Sequence, residues 1–373
     1  MNSFYKIAAL LASAAALLVS CDETAGNDVS VDDDFAIVFD KNVITADGND
    51  AVTFTATLKG EDVTANTVFY LGEGLDMTEL SGNKFVADKT GLYKISASYL
   101  TFVTSEPLII NAINVSIPAA AEDPQPSKTS FVHRAFLNQY TGTGCQYCPG
   151  MIRAIRSAMA DETVADMAVL AAIHSYGAGD PAYISSPRTT NYPYLQIDMA
   201  DDFTYDQDPE AKRGVLKSLL QARTSSPAKV GISANPNYYE EEQMLVVRVA
   251  VKAAETGSYN LGVWFLQDNV YGIQNDGIGI ADNSYNYHDN CVRVADSRWM
   301  YSYVGYPVGT IQAGKTVERT FVLPIMKTEW KLKDMNDIHF AAFVTSADPG
   351  GKTYSVVNVI DCKYNEPTPF DYK

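Results

Sequence analysis

Thr141-Gly142-Thr143-Gly144-Cys145-Gln146-Tyr147-Cys148-Pro149 puts two thiols two residues apart, where strand-like sequence gives way to helix-like sequence. Before it, Phe131 to Tyr140 reads as a strand. After it, Met151, Ile152, Ile155 and Met159 recur at helical spacing and predict a helix from about Cys148 to Ala160. Met167 to His174 is then a near-continuous apolar run, as expected of a strand covered on both faces. Strand, cysteine turn, helix and strand make a βαβ unit with a parallel sheet. A helix starting at the second cysteine aims its free N–H groups and positive dipole end at the sulfur of Cys145, favouring the thiolate that performs disulfide exchange. The same residues also suit a stapling disulfide or half of a zinc site. Zinc needs two further ligands, and no second Cys-x-x-Cys or His-x-x-x-His occurs, so no metal site is expected.

Outward from this unit, Asp208-Pro209-Glu210 announces a second helix, an N-cap followed by proline at the first helical position, running to about Arg223. From Lys229 to the end strands return: Val230 to Ala234, Gln243 to Ala253, Asn260 to Asp268, Thr316 to Pro324, His339 to Ala347 and Thr353 to Cys362. They predict a C-terminal all-β sandwich over 229–373, in which Arg248 and Lys252 point to solvent from an apolar strand. On the N-terminal side, Pro118 to Ser130 reads as a proline-stiffened linker. Residues 35–117 are short β-type runs broken by turn residues, among them Phe35 to Phe39, Ala51 to Leu58, Gly91 to Tyr99 and Pro107 to Ile113. That regular spacing predicts an antiparallel sandwich, and the stretch resembles bacterial immunoglobulin-like modules.

The chain opens with Lys6 and an apolar Ile7 to Val19, too short to span a membrane and typical of an export signal. Leu18-Val19-Ser20-Cys21 resembles a bacterial lipobox. By that resemblance residues 1–20 are a lipoprotein signal peptide, Cys21 is the lipid attachment point, and the protein is held on a membrane by its acyl chains. Residues 21–34 read as an acidic tether, and acidic residues behind such a cysteine resemble the export signals of surface lipoproteins. Against 28 basic residues the chain carries 45 acidic ones, a net charge of -17, which argues against nucleic acid as a partner. An exported chain meets oxidising conditions, so Cys291 and Cys362 are candidates for a structural disulfide, with buried free thiols as the alternative.

With the cysteine block placed on a βαβ unit, residues 131–228 look like a thioredoxin fold. More closely, the chain from about residue 131 onward resembles the outer-membrane-protein-28-related lipoproteins of Bacteroides-type bacteria. The resemblance rests on the Thr-Gly-x-x-Cys-x-x-Cys-Pro block, the strand end Ala172-Ile173-His174, the block Tyr287-His288-Asp289-Asn290-Cys291-Val292-Arg293, and the lipobox. It implies a multidomain outer-membrane lipoprotein that exchanges disulfides with the thiols or disulfides of other exported proteins. Cys145 would attack and Cys148 resolve, with no cofactor. The thioredoxin resemblance further implies a cis proline opposite the cysteines, a role that Tyr192-Pro193 fills by its spacing, with Pro187 as second candidate. Two positions depart from the pattern: Gly144 stands where a tryptophan is common, and Gln139 where a buried carboxylate assists proton transfer. The competing expectation is a non-catalytic surface binding or adhesion lipoprotein whose cysteine pair is a static staple. His133, His174, His288 and His339 are scattered along the sequence, and His174, at a strand end, is the one placed to act as an acid-base assistant.

Overall fold

The computed structural model describes residues 35–373 except 187, 188, 190, 204–207, 297–303 and 349. The expected signal peptide (1–20), Cys21, the expected acidic tether (21–34) and Pro187 lie outside the described residues. The chain divides into two compact units, residues up to 117 and residues 118–373.

The first unit is a two-sheet β-sandwich. Strand β1 (Phe35–Phe39) pairs antiparallel with β3 (Val52–Leu58), while β2 (Val43–Thr45), β6 (Leu108–Ile113), β5 (Gly91–Tyr99) and β4 (Val68–Leu71) follow one another across the second sheet. Alternation along β3 explains the packing, because Val52, Phe54 and Ala56 turn inward while the threonines between them face out. Phe54 meets Phe69 of the facing sheet with ring centroids 5.6 Å apart, an offset contact that adds to the burial of both rings. β2 was not anticipated; its three residues show no periodicity, and it exists by pairing parallel to β6.

In the second unit β7 (Ala135–Thr141) leads through the cysteine turn into α1 (Cys148–Met159) and back to β8 (Ala168–His174), parallel to β7. β9 (Tyr194–Ile197) pairs antiparallel with the other side of β7, β10 (Asp201–Phe203) pairs with β9, and α2 (Pro209–Arg223) follows. Asp208 caps α2 by accepting from Ala211 N at 3.1 Å. Ala135 and Leu137 of β7 face the helices and pack with Met151 and Ile155 of α1 and with Leu216 and Leu220 of α2.

Continuation of this sheet corrects the expected domain plan. The strands that follow α2 are β11 (Val230–Tyr239), β12 (Met244–Ala253), β13 (Gly257–Gln267), β14 (Val270–Tyr271), β15 (Tyr287–His288), β16 (Cys291–Asp296), β17 (Tyr306–Ile311), β18 (Thr316–Pro324), β19 (Ile338–Ala347) and β20 (Tyr354–Lys363). β8 takes β16 as a parallel neighbour, with Ala172 opposite Cys291, so one nine-stranded sheet runs β10-β9-β7-β8-β16-β13-β19-β20, with β17 also on β13. Residues 131–228 therefore do not form a domain of their own. An unpaired edge at β8 would leave its backbone groups unsatisfied, and β16 supplies the partner. β11, β12 and β18 form a separate three-stranded sheet. Its Ile232, Leu245 and Val247 pack against Leu261, Phe265 and Phe340 of the large sheet, so the sandwich expected at the C-terminal end shares a sheet with the α/β part.

The linker and Lys252 also depart from expectation. Lys252 is 2% exposed. Its Nζ donates to Asp123 Oδ2 (3.0 Å), Pro126 O (2.6 Å) and Tyr372 OH (3.1 Å). A buried ammonium needs such partners, and they tie residues 118–130 onto the second unit as part of its structure.

Candidate functional site

Cys145 and Cys148 form a disulfide with Cα atoms 5.4 Å apart. Cys148 is the first residue of α1, and Pro149 occupies its first turn, where no backbone donor is needed. The preceding Tyr147 provides no side-chain cap, so the helix start presents its positive end to the cysteine turn. The Tyr192-Pro193 peptide bond is cis. Pro193 immediately precedes β9, whose Tyr194 pairs with Tyr140, and so it stands beside the strand end that feeds the cysteine turn. The position of the absent tryptophan is covered from elsewhere: a Cβ on Gly144 would lie 3.3 Å from the Tyr176 ring, and Tyr176 in turn meets Tyr192 edge-on at 5.2 Å.

Both sulfurs are enclosed, with Cys145 2% and Cys148 0% exposed. The cover is a strap, residues 272–281, between the paired β14 and β15. Asn275 N donates to Thr143 O at 2.7 Å and Gly277 N to Gln146 O at 2.9 Å. Gln274 Nε2 reaches Cys145 O at 3.0 Å and Thr143 O at 3.3 Å. The strap needs glycine at its closest approach, because a Cβ on Gly272 would meet Pro181 Cγ at 2.7 Å and Thr143 Cγ2 at 2.8 Å. Asp276 stiffens its far end by accepting from Gly279 N (2.9 Å) and Ala281 N (2.7 Å). Sequence reasoning missed the strap, since its contacts are backbone bonds between segments more than a hundred residues apart.

Beneath the turn lies a buried charge cluster. His174 Nδ1 is 3.0 Å from both oxygens of Asp180, and its Nε2 is 3.6 Å from Cys291 Sγ. Asp180 also accepts from Thr143 N (2.6 Å) and Ala182 N (2.8 Å), so it holds the cysteine turn directly. Arg293 fixes the adjoining loop by donating to Pro181 O at 2.8 Å. Burial opposes charge on His174, but Cys291 and Asp180 beside it outweigh that and raise its pKa to about 10. Asp180 is held well below the usual carboxylate range, its burial outweighed by His174 and by the two backbone donors. His288 packs edge-on to His174 at 5.0 Å. Burial, and then the charge of His174, lower its pKa to about 4.

These shifts set the pH dependence of stability. His174, raised from 6.5 to about 10, contributes stability that is fully present below 6.5 and lost as pH rises toward 10. His288, lowered from 6.5 to about 4, contributes stability present above 6.5 and lost as pH falls toward 4. Urea midpoints are expected to fall on both sides of neutrality, and His288→Asn should flatten only the acid limb. An acid limb unchanged in that variant would contradict the assignment.

Cys291 and Cys362 are free, buried thiols. This corrects the expected structural disulfide. β13 and β19 lie between β16 and β20 in the sheet, and three strand spacings of about 4.8 Å separate the cysteines by more than twice the Cα distance a disulfide spans. Burial pushes the Cys362 thiol up. Of the residues expected to act, the structure thus groups Cys145, Cys148 and Pro193 at one sheet edge with His174, and it adds Asp180, Cys291, His288 and Gln274. Among the described residues no group of three or more His, Cys, Asp or Glu side chains is placed to hold a metal ion.

No family model matches the sequence, and no curated protein matches it. Among solved structures the chain is similar in fold to HBP35 of Porphyromonas gingivalis, with TM-score 0.51 and 16% identity over 65% of this chain and 78% of that one. A domain of the outer membrane lipoprotein Omp28 from the same organism matches at TM-score 0.24 and 19% identity, over 37% of this chain and 89% of that one.

Proposed function

We propose that this chain is an outer-membrane lipoprotein, anchored through Cys21 and related to the outer-membrane-protein-28 group, whose Cys145–Cys148 pair exchanges disulfides with other exported proteins. The observation that carries the reading is the joint placement of the pair at the start of α1 and of cis Pro193 at the head of the neighbouring strand. The order β8-β7-β9-β10 and the helix after β10 also support reading this part as a thioredoxin-like half merged into a larger sheet. In the exchange, the Cys145 thiolate attacks a partner disulfide, forming a mixed disulfide and releasing one partner thiolate. Cys148 then attacks Cys145 Sγ, releasing the second partner thiolate and restoring the internal disulfide. The immunoglobulin-like sandwich would serve as a spacer between the anchor and this part.

Full enclosure of both sulfurs under the strap favours a second reading, a surface binding lipoprotein with a static cysteine pair. Insulin reduction by the purified chain in dithiothreitol separates the two. Turnover lost in Cys145→Ser, with Cys145 titrating below the ordinary thiol value of about 8.5, supports exchange. A pair that stays oxidised in mild reductant, with no turnover even when the strap is loosened by Gln274→Ala, supports the static reading. Anchoring is tested separately by palmitate labelling, which should vanish in Cys21→Ala.

A further inference from the structure

A cavity of about 330 Å³ lies between α1 and the sheet, on the face of β7 and β8 that carries Gln139, Thr141 and His174. That volume is at the small end of ligand pockets, which begin at about 300 Å³. Its apolar wall is Ile152, Ile155 and Met159 of α1 with Leu170 of β8. Cys148, Ile152, Ile155 and Met159 are spaced on one helical face, so the cavity continues along the side of α1 that starts at the cysteine pair. Exposed Arg156, Ala160 and Asp289 form its mouth.

Two polar groups inside it have no partner. Among the described residues Gln139 Nε2 and Thr141 Oγ1 make no hydrogen bond, and the residues are 4% and 2% exposed. Leaving a buried donor unmet is costly, and folded proteins rarely tolerate it without a reason. Both line the same cavity. An amide nitrogen can only donate, so the group it awaits is an acceptor. Arg156, at the mouth, adds positive charge. The carboxylate there, Asp289, accepts from Asn269 N at 3.1 Å, while His288 Nε2 donates to Gly272 O at 3.0 Å.

We propose that this cavity binds a small aliphatic carboxylate, its oxygens taken by Gln139 Nε2 and Thr141 Oγ1 and its chain lying along Ile152, Ile155, Met159 and Leu170. The amide at position 139 is what makes the site selective: a carboxylate there would repel the head group that glutamine receives. Occupation would also satisfy both orphaned groups at once, so the ligand should stabilise the fold by mass action.

Titration calorimetry of the full chain with sodium octanoate, octylamine and n-octanol tests it. Octanoate is expected to bind saturably and to raise the melting temperature, octylamine to give no saturable heat, and octanol to bind more weakly. Gln139→Leu and Thr141→Val, close in volume to the native residues, should each weaken octanoate at least tenfold. Removing an orphaned polar group should not lower stability in either variant, so a binding loss with an unchanged unfolding midpoint is the expected signature. Absence of octanoate binding to the wild-type chain, as for a cavity holding water alone, overturns the proposal. So does octanoate binding that neither variant weakens, or equal binding of octylamine. None of these outcomes depends on whether the cysteine pair turns over.

Discussion

Replacing Asp180 by alanine is expected to lower the unfolding free energy of the second unit by about 3–5 kcal/mol, the usual cost of leaving one member of a buried ion pair behind. Both side chains of the pair are nearly inaccessible, at 1% for His174 and 2% for Asp180. Loss of the carboxylate strands three donors together: His174 Nδ1, Thr143 N and Ala182 N. No water can reach them cheaply, so the protein must neutralise His174 or open locally. Asp180→Asn keeps the volume and one acceptor oxygen, and should cost less. Trp264 and Trp330 belong to the second unit and residues up to 117 contain no tryptophan, so urea unfolding followed by tryptophan fluorescence does not report the first unit. A loss below about 1 kcal/mol, typical of an exposed pair, would show that the cluster does not support the cysteine turn.

The cluster also marks where sequence reasoning reached its limit. The βαβ unit was legible because each signal was local: the apolar run of β8, the helical spacing of Ile152, Ile155 and Met159, and proline at the start of each helix. Strands such as Gly91–Tyr99 and Thr316–Pro324 have the bounds that their composition implies. β16 was not read as a strand, since Cys291–Asp296 mixes Arg, Asp and small residues and shows no clean alternation. Missing β16 meant missing that the sheet continues, and hence expecting a separate domain. The same omission hid Cys291 beside His174, which lies 117 residues earlier in the chain. Lys252 failed for another reason: a lysine in an apolar strand is usually at the surface, and only the fold brings Asp123 and Tyr372 to its ammonium. Cys145, Cys148 and Pro193 could be named because their chemistry is tied to spacing, whereas a strap held by backbone bonds leaves no residue-type signal.

Loosening that strap should change the chemistry of the pair more than any substitution away from the cysteines. Gln274→Ala is expected to speed reduction of the Cys145–Cys148 disulfide by dithiothreitol by about 10-fold or more, with Gln274→Glu faster still. The reasoning starts from enclosure: with Cys145 2% and Cys148 0% exposed, a thiol reaches sulfur only after local opening, and the rate follows the open population. Gln274 Nε2 faces the carbonyl oxygens of Thr143, Cys145 and Asn275 at 3.0–3.3 Å. Removing the amide takes a hydrogen bond from each of the Thr143 and Cys145 carbonyls, which keep Asn275 N and Cys148 N, at a combined cost of about 1–3 kcal/mol, equivalent to roughly 5- to 150-fold in the opening equilibrium. Glutamate would turn a carboxylate toward the same oxygens and add repulsion to the lost bond. Asn275 N to Thr143 O and Gly277 N to Gln146 O remain in both variants, so the strap should loosen without detaching. Reduction is read as the rate at which alkylating mass is gained under excess dithiothreitol. Equal rates in wild type, Gln274→Ala and Gln274→Glu would mean that the strap does not control access. Accelerated reduction accompanied by insulin turnover would instead make the strap the gate through which an exported partner must reach Cys145.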